Sequence, residues 1–182
     1  MLSIFINPGH DPVVEPGASR FGFRECDIAL SVGQKLKVIM ESIGYPCRLL
    51  QSHNLAGEYS ARPNVTATAN FNHYDIFISI HCNSFADERP RGTETLIYTA
   101  GGSSEILARC IQNQIVTSLH TVDRGIKERP DLAVLRETSM PAVLIELAFI
   151  SNPDDLKILI EHQTDLARAI ARGITDYERS IS

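Results

Sequence analysis

The most regular feature of the sequence is an alternation between short, almost continuous apolar runs and longer stretches in which apolar residues recur every three or four positions. The short runs are typical of buried strands, and the spaced residues are typical of amphipathic helices. Two runs, Asp75–His81 and Ala142–Glu146, are the most apolar and contain several β-branched residues. We expect both to be covered on two faces, which places them at the centre of a sheet.

Weaker patterns predict the remaining elements around these two runs. Strands are expected at Leu2–Asn7, Cys47–Leu50, Thr93–Tyr98 and Leu132–Leu135. Helices are expected around Ile28–Ile43, at Val65–Phe71, from Ser103 or Ser104 to Leu119, from Asn152 onward and around Leu166–Tyr177. This order predicts an α/β fold: one three-layer domain over residues 1–182, with a twisted, mostly parallel central sheet flanked by helices.

Composition and charge exclude several classes of protein. An apolar fraction of 43% is ordinary for a globular domain, and no apolar run approaches the roughly 20 residues of a membrane span. A net charge of −5 without a basic block argues against nucleic acid as the main partner. The first residues lack the basic segment of a signal peptide, so we expect export to depend on a segment absent from this sequence. Four scattered cysteines are expected to be small buried apolar residues: Cys26, Cys47, Cys82 and Cys110.

Polar side chains follow three of the predicted strands. The first strand leads through Asn7-Pro8-Gly9 to His10, the second central run ends at Glu146, and the other ends at His81. Because ligands of such sheets bind beyond the carboxyl ends of the strands, we expect these three residues to share one rim. Glu25, just before the first helix, is expected to be reached by a loop from the same rim.

Two imidazoles and a carboxylate suit Zn²⁺, and a second carboxylate kept off the metal would suit a general base. His10, Glu25, His81 and Glu146 have this composition. Plainer interpretations remain open, because a histidine after a strand often only bonds backbone and a first-turn glutamate often only faces the helix dipole. Glu146 must be largely buried, although an arginine such as Arg62 or Arg136 could be its partner instead of a metal site. The other histidines are expected at the surface: His53, His73, His120 and His162.

These residues also belong to a series of short segments that follow one another in the order found in a known protein family. The segments are Asn7–His10, Pro16–Ala18, Glu25, Ala69-Asn70, Asp75–Asn83, Gly92–Thr95, Arg124–Lys127, Leu132–Leu135, Pro141–Glu146 and Phe149–Asn152. Over nearly the whole chain, this series resembles the zinc-dependent N-acetylmuramoyl-L-alanine amidases, which are peptidoglycan hydrolases of bacteria and of phage lysins. The sequence departs from the family pattern at Asn7, where Asp is usual, at Asp11-Pro12, where Gly-Gly is usual, and at Ala148, where Gly is usual.

The resemblance implies a role for each member of the quartet. The three metal ligands of the family fall on His10, Glu25 and His81, which would hold one Zn²⁺ per chain, and the catalytic glutamate falls on Glu146. The implied reaction is hydrolysis of the amide between N-acetylmuramic acid and L-alanine, at the bacterial cell wall, in the periplasm or outside the cell. Peptidoglycan is the expected partner, and a separate wall-binding domain or an activator could assist. The alternatives are a zinc peptidase, a small-molecule amidohydrolase or a non-catalytic wall-binding module of the same fold.

Overall fold

The computed structural model describes residues 1–181, which form a six-stranded sheet, a small hairpin and six helices. The strands are β1 (Ile4–Pro8), β2 (Ser19–Arg20), β3 (Phe23–Arg24), β4 (Cys47–Leu49), β5 (Ile76–Asn83), β6 (Thr93–Ile97), β7 (Asp123–Glu128) and β8 (Ala142–Phe149). The helices are α1 (Glu25–Ser42), α2 (Val65–Phe71), α3 (Ser103–Leu119), α4 (Ala133–Arg136), α5 (Pro153–Glu161) and α6 (Gln163–Ile181). None of these helices is both long and apolar enough to cross a membrane.

The sheet has the order β4-β1-β5-β8-β6-β7, so the two most apolar strands are its central pair, as predicted. All neighbouring strands are parallel except β6 and β8, which are antiparallel. The sheet is therefore mostly parallel, and the predicted α/β class is confirmed. Because β1, β5 and β8 run in the same direction, their carboxyl ends meet at one edge.

Alternate residues of the strands face two layers of unequal depth. On one face, Ile4, Ile78 and Ile145 pack under α1, α3 and α6 in the larger apolar cluster. On the other face, Phe5 and Phe77 pack under the short helices α2 and α4. The smaller cluster includes Ala142 and Leu144 of β8, and the next residue on that face is Glu146. The polar residues of this face therefore begin at the edge of the smaller apolar cluster.

Several element predictions are wrong or incomplete. Residues Leu132–Leu135 do not form a strand, because helix α4 begins at Ala133 and its Val134 and Leu135 pack in the smaller cluster. Strand β7 was not predicted, since an exposed edge strand rich in charge carries no apolar signal. Gly102, without a side-chain bond, caps α3 in place of a serine.

Other local predictions hold. Asn152 caps α5 by accepting hydrogen bonds from the backbone amides of Asp154 and Asp155, with Pro153 in the first turn. Helix α2 matches its predicted range. The prediction of buried cysteines holds for Cys26 and Cys82 but is wrong for Cys47 and Cys110, which are half-buried; all four thiols are free.

Candidate metal centre and general base

Three separate elements bring His10, Glu25 and His81 together. His10 follows β1, Glu25 is the first residue of α1, and His81 lies near the carboxyl end of β5. One possible ligand atom from each residue lies within 4.8 Å of the other two. The rings of His10 and His81 meet edge to face, with centroids 4.9 Å apart. The structure thus joins three of the four predicted site residues in one cluster.

Glu25 is buried at the centre of this cluster. Its Oε1 atom lies 3.1 Å from His10 Nε2 and accepts hydrogen bonds from His81 Nδ1 at 2.9 Å and from the backbone amide of Cys82 at 3.0 Å. Its Oε2 atom accepts the backbone amide of Ala18 at 2.9 Å. Burial raises the pKa of Glu25, but the two imidazoles lower it by more, so the pKa lies well below its usual range. Glu25 is therefore a buried, ionised carboxylate whose position is fixed by these contacts.

Glu15 is a member of the site that the sequence analysis missed. Both of its carboxylate oxygens lie 2.9 Å from His10 Nδ1, which donates to them. Burial lowers the pKa of His10, but Glu25 and then Glu15 raise it by more, to about 9. The two carboxylates thus favour a positive charge on or beside His10, which a metal ion would also supply. The only signal in the sequence is an acid five residues after the histidine.

Two glycines lack the side chains that would collide with the site, and so make room for the rings of His10 and His81. A Cβ atom on Gly9 would lie 2.2 Å from the His81 ring, and one on Gly17 would lie 2.6 Å from Glu25 Oε2 and from His10 Cδ2. Gly17 also has a φ of +70°, which favours glycine. His10 itself has a φ of +65°, an uncommon value for a residue with a side chain. The backbone is therefore shaped to bring the two rings together.

Glu146 lies beside this cluster and not within it. It is paired in register with His81 across β5 and β8. Its Oε2 atom is buried and has no hydrogen-bond partner within residues 1–181. Burial raises the pKa of Glu146, the charge of His81 opposes this, and the charges of Glu25 and Glu94 add to it, so that the pKa lies at about 7. A carboxyl group with a pKa near neutrality can both take up and release a proton.

The two arginines considered as partners of Glu146 interact with other carboxylates. Arg136 binds its neighbour Glu137 at 2.8 Å, and the charge of Arg62 acts on Asp11. The prediction that the strand ends at Glu146 is wrong, because β8 continues to Phe149. Glu146 is fixed by the backbone of a central strand, with paired residues on both sides.

The remaining histidines lie outside the cluster. His73, in a turn, and His120, the residue after the last turn of α3, are exposed and have positive φ. His162 pairs with Asp165 at 3.2 Å. His53 was expected at the surface but its side chain is only 7% exposed. Its Nδ1 atom lies 3.4 Å from Asp11 Oδ2 without making a hydrogen bond. His53 therefore lies against Asp11, the residue after His10.

Two of the residues that depart from the family pattern, Asn7 and Asp11, have local explanations. The amide of Asn7 donates to the Leu50 carbonyl at 3.0 Å and accepts from the Ser79 hydroxyl at 3.1 Å, so an amide suits both partners. Asp11 accepts the backbone amides of Val13 and Val14 and closes the turn after His10. No departure removes a residue of the quartet.

The donor set fits Zn²⁺. Two imidazole nitrogens and one carboxylate oxygen form a three-residue set that leaves a fourth tetrahedral position open. Glu15 on the outer nitrogen of His10 and the Cys82 amide on Glu25 are the kinds of contact that orient metal ligands. Oxygen-only ions such as Mg²⁺ fit the two imidazoles less well.

Comparisons with known proteins agree with this geometry. The family model described as N-acetylmuramoyl-L-alanine amidase matches residues 4–176. The chain is 32% identical to N-acetylmuramoyl-L-alanine amidase LytC of Bacillus subtilis over 181 residues, 97% of this chain and 36% of LytC. It is also 32% identical to the endolysin of Bacillus phage SPP1 over 183 residues, 95% of this chain and 65% of that protein.

A solved structure of an amidase also resembles this chain. N-acetylmuramoyl-L-alanine amidase AmiC2 of Nostoc punctiforme superposes with a TM-score of 0.85 at 30% identity, covering 98% of this chain and 97% of that structure. The chain spans about a third of the length of LytC and two thirds of that of the endolysin. Because the family model matches nearly all of its residues, the chain belongs to the N-acetylmuramoyl-L-alanine amidase family.

Proposed function

We propose that residues 1–182 form a zinc amidase catalytic domain that hydrolyses the amide between the lactyl group of N-acetylmuramic acid and L-alanine in peptidoglycan. Family membership supports the bond and the substrate. One observation supports the mechanism most directly: Glu146, whose buried Oε2 atom has no hydrogen-bond partner within residues 1–181, stands in register with His81 of the three-residue cluster.

His10, Glu25 and His81 are the residues that would hold one Zn²⁺ per chain. When bound, zinc supplies Lewis-acid polarisation of the scissile carbonyl and activation of water. Glu25 contributes a negative charge at the centre of the cluster, and Glu15 fixes the ring of His10. These residues position the electrophile, and none of them is free to move a proton to the leaving group.

Glu146 is the residue proposed to move protons. As a carboxylate it accepts a proton from the attacking water, and as the acid it delivers that proton to the amide nitrogen as the bond to carbon breaks. Because Glu146 is fixed on β8, both proton transfers take place at the same position on this face of the sheet. Asn83, a candidate for stabilising the oxyanion, already donates to Glu94 Oε1 at 3.0 Å. Backbone amides are the remaining candidates for that role.

This function places the protein at the bacterial cell wall, in the periplasm or outside the cell. A wall-binding domain elsewhere in the protein would raise the local concentration of substrate, and an activator is the other expected partner. The alternative enzymes are a zinc peptidase and a small-molecule amidohydrolase, and the alternative from another class is a wall-binding module without catalysis.

Digestion of purified peptidoglycan followed by mass analysis of the products separates these possibilities. The proposal expects peptides with a new N-terminal alanine and intact glycan chains. Cleavage within the peptide would identify a peptidase, and new reducing ends would identify a glycosidase. Sedimentation with the wall without any product would identify a binding module.

A further inference from the structure

Glu94 extends the row of acidic and imidazole side chains by one more strand. In the antiparallel pair of β6 and β8, Glu94 lies opposite Glu146, which in turn lies opposite His81 of β5. Residues directly opposite in a sheet project from the same face, and neighbouring strands are about 4.8 Å apart. Glu94 therefore stands beside the proposed general base, on the side away from His81.

Two cations share the carboxylate of Glu94. Arg124 Nε donates to Glu94 Oε2 at 2.8 Å, Lys127 Nζ donates to the same oxygen, and Asn83 donates to the other. The side chain of Glu94 is 9% exposed, whereas those of Arg124 and Lys127 are 33% and 44% exposed. The cluster therefore has an excess of one positive charge at its accessible edge, in a chain whose net charge is −5.

The positions of these cations are fixed by their surroundings. The guanidinium of Arg124 lies over the ring of Phe149, 4.9 Å from its centroid. Lys127 is on β7, in register with Leu96 of β6. Arg124 Nη1 also donates to the Arg91 carbonyl at 3.5 Å. Because the side chains of Arg124 and Lys127 are a third or more exposed, they keep further N–H groups for a ligand, and the carboxylate that holds them lies opposite Glu146.

The chemistry of the substrate indicates what these donors could bind. In the uncleaved amide, the carboxyl group of muramic acid is consumed, so an unmodified glycan of N-acetyl sugars is neutral. The free carboxylates belong to the peptide. Because Glu146 is proposed to protonate the leaving amine, the peptide must depart beside Glu146, and the next strands on the side away from His81 are β6 and β7.

We propose that Arg124 and Lys127 bind a free carboxylate of the peptide stem on the leaving side of the scissile amide, and so favour acidic stems. This inference rests on the proposed function and deepens it. Glu94 is a positioning residue in this account, because it holds both cations without contacting the peptide. The structural alternative is that the cluster only joins β6 to β7, in which case its loss would lower stability without changing selectivity.

The test compares two muropeptides that differ only at the residue after alanine, one with a free carboxylate there and one with that carboxylate amidated. The zinc-loaded wild type is expected to show a five- to tenfold higher kcat/KM for the free acid, the range of one charge-assisted hydrogen bond at an exposed site. Lys127→Gln is expected to reduce this preference to about two or less. Lys127→Arg is expected to keep it, and so is Arg168→Gln, which removes a cation from α6.

Binding of the released peptides, followed by calorimetry, needs no turnover and keeps the two proposals separate. The inference is supported if the wild type binds the free acid more tightly than the amide and Lys127→Gln does not. This result counts even for a preparation that does not cleave peptidoglycan. Equal kcat/KM and equal binding for the two forms would overturn the inference while leaving the amidase activity intact. Arg124→Lys, which keeps the charge but loses the stacked guanidinium, is expected to retain part of the preference.

Discussion

Glu146 lies directly opposite His81 across the two central strands of the sheet, and one oxygen of its carboxylate is buried without a hydrogen-bond partner within residues 1–181. The pair joins a residue of the candidate metal cluster to a carboxyl group whose pKa is raised by burial to about 7. Since both residues are parts of strands, the spacing between cluster and carboxyl group is set by the sheet and not by a loop.

The first prediction concerns the pH dependence of stability in the absence of metal. Glu146 has an ordinary pKa of 4.5 when unfolded and about 7 when folded, so folding disfavours its ionised form. The penalty is absent below pH 4.5, grows between pH 4.5 and 7, and is complete above pH 7. A shift of this size corresponds to a penalty on the order of 3 kcal/mol.

Glu146→Gln removes this titration while keeping the shape of the side chain. With a chelator present, the variant is expected to be more stable than the wild type at pH 8 and to lose that advantage at pH 4.5. Denaturant unfolding at both pH values measures the difference. A constant difference between the two proteins across this range would show that Glu146 is not destabilised by its surroundings.

The second prediction concerns the proposed metal ligands. His10→Ala and His81→Ala are expected to remove bound zinc while the fold survives, because the strands are held by two apolar clusters that do not include these rings. Metal analysis after dialysis, with circular dichroism for the fold, provides the measurement. His162→Ala, which removes an exposed histidine, should keep one zinc per chain. Near-stoichiometric zinc in the His10,His81 double variant would disprove the ligand assignment.

The third prediction separates backbone strain from obstruction of the site. Gly17 and Gly22 both have positive φ, at +70° and +84°, but only a Cβ atom on Gly17 meets Glu25 and His10, while nothing lies within 4 Å of one on Gly22. Backbone strain should cost both alanine variants about 1 kcal/mol of stability, and the close contacts of the new Cβ atom should add to the loss in Gly17→Ala. Gly17→Ala alone should weaken zinc binding. Competition with a chromogenic chelator measures it, and equal zinc affinities for the two variants would contradict the packing argument.

The fourth prediction concerns Glu15, which accepts from His10 Nδ1. Glu15→Gln is expected to lower zinc affinity by about ten- to a hundredfold, the usual effect of losing an acidic partner of a metal-binding histidine. Glu41→Gln, which neutralises a surface carboxylate paired with Lys37, serves as the control. Unchanged affinity in Glu15→Gln would mean that the ring of His10 is held by Glu25 and the backbone alone.

Much of the fold was predictable because its core strands are strongly apolar. The pattern in β5 and β8 indicated strands covered on both faces, and polar residues at one edge indicated where chemistry would gather. Helix α2 and the cap at Asn152 follow from local preferences that the tertiary structure does not oppose. In these regions local preference and global packing agree.

The remaining elements and contacts depend on long-range packing. Residues Leu132–Leu135 are apolar enough for a strand, but two of them fill the smaller cluster from a helical turn. Strand β7 is defined by its pairing with β6 and not by its own apolar residues. The contact of Glu15 depends on the left-handed conformation of His10, and that of Glu94 depends on the antiparallel register of β6. Neither feature produces a periodic pattern in the sequence.

The central claim is that Glu146 performs proton transfer beside a zinc site that it does not help to form. Turnover and bound zinc, measured on the same sample of Glu146→Gln, test it most directly. The glutamine keeps the shape but cannot shuttle a proton at neutral pH. The account predicts one zinc per chain with turnover lower by at least 10²–10⁴-fold. Turnover near that of the wild type would show that the base lies elsewhere, and loss of zinc together with turnover would make Glu146 a ligand.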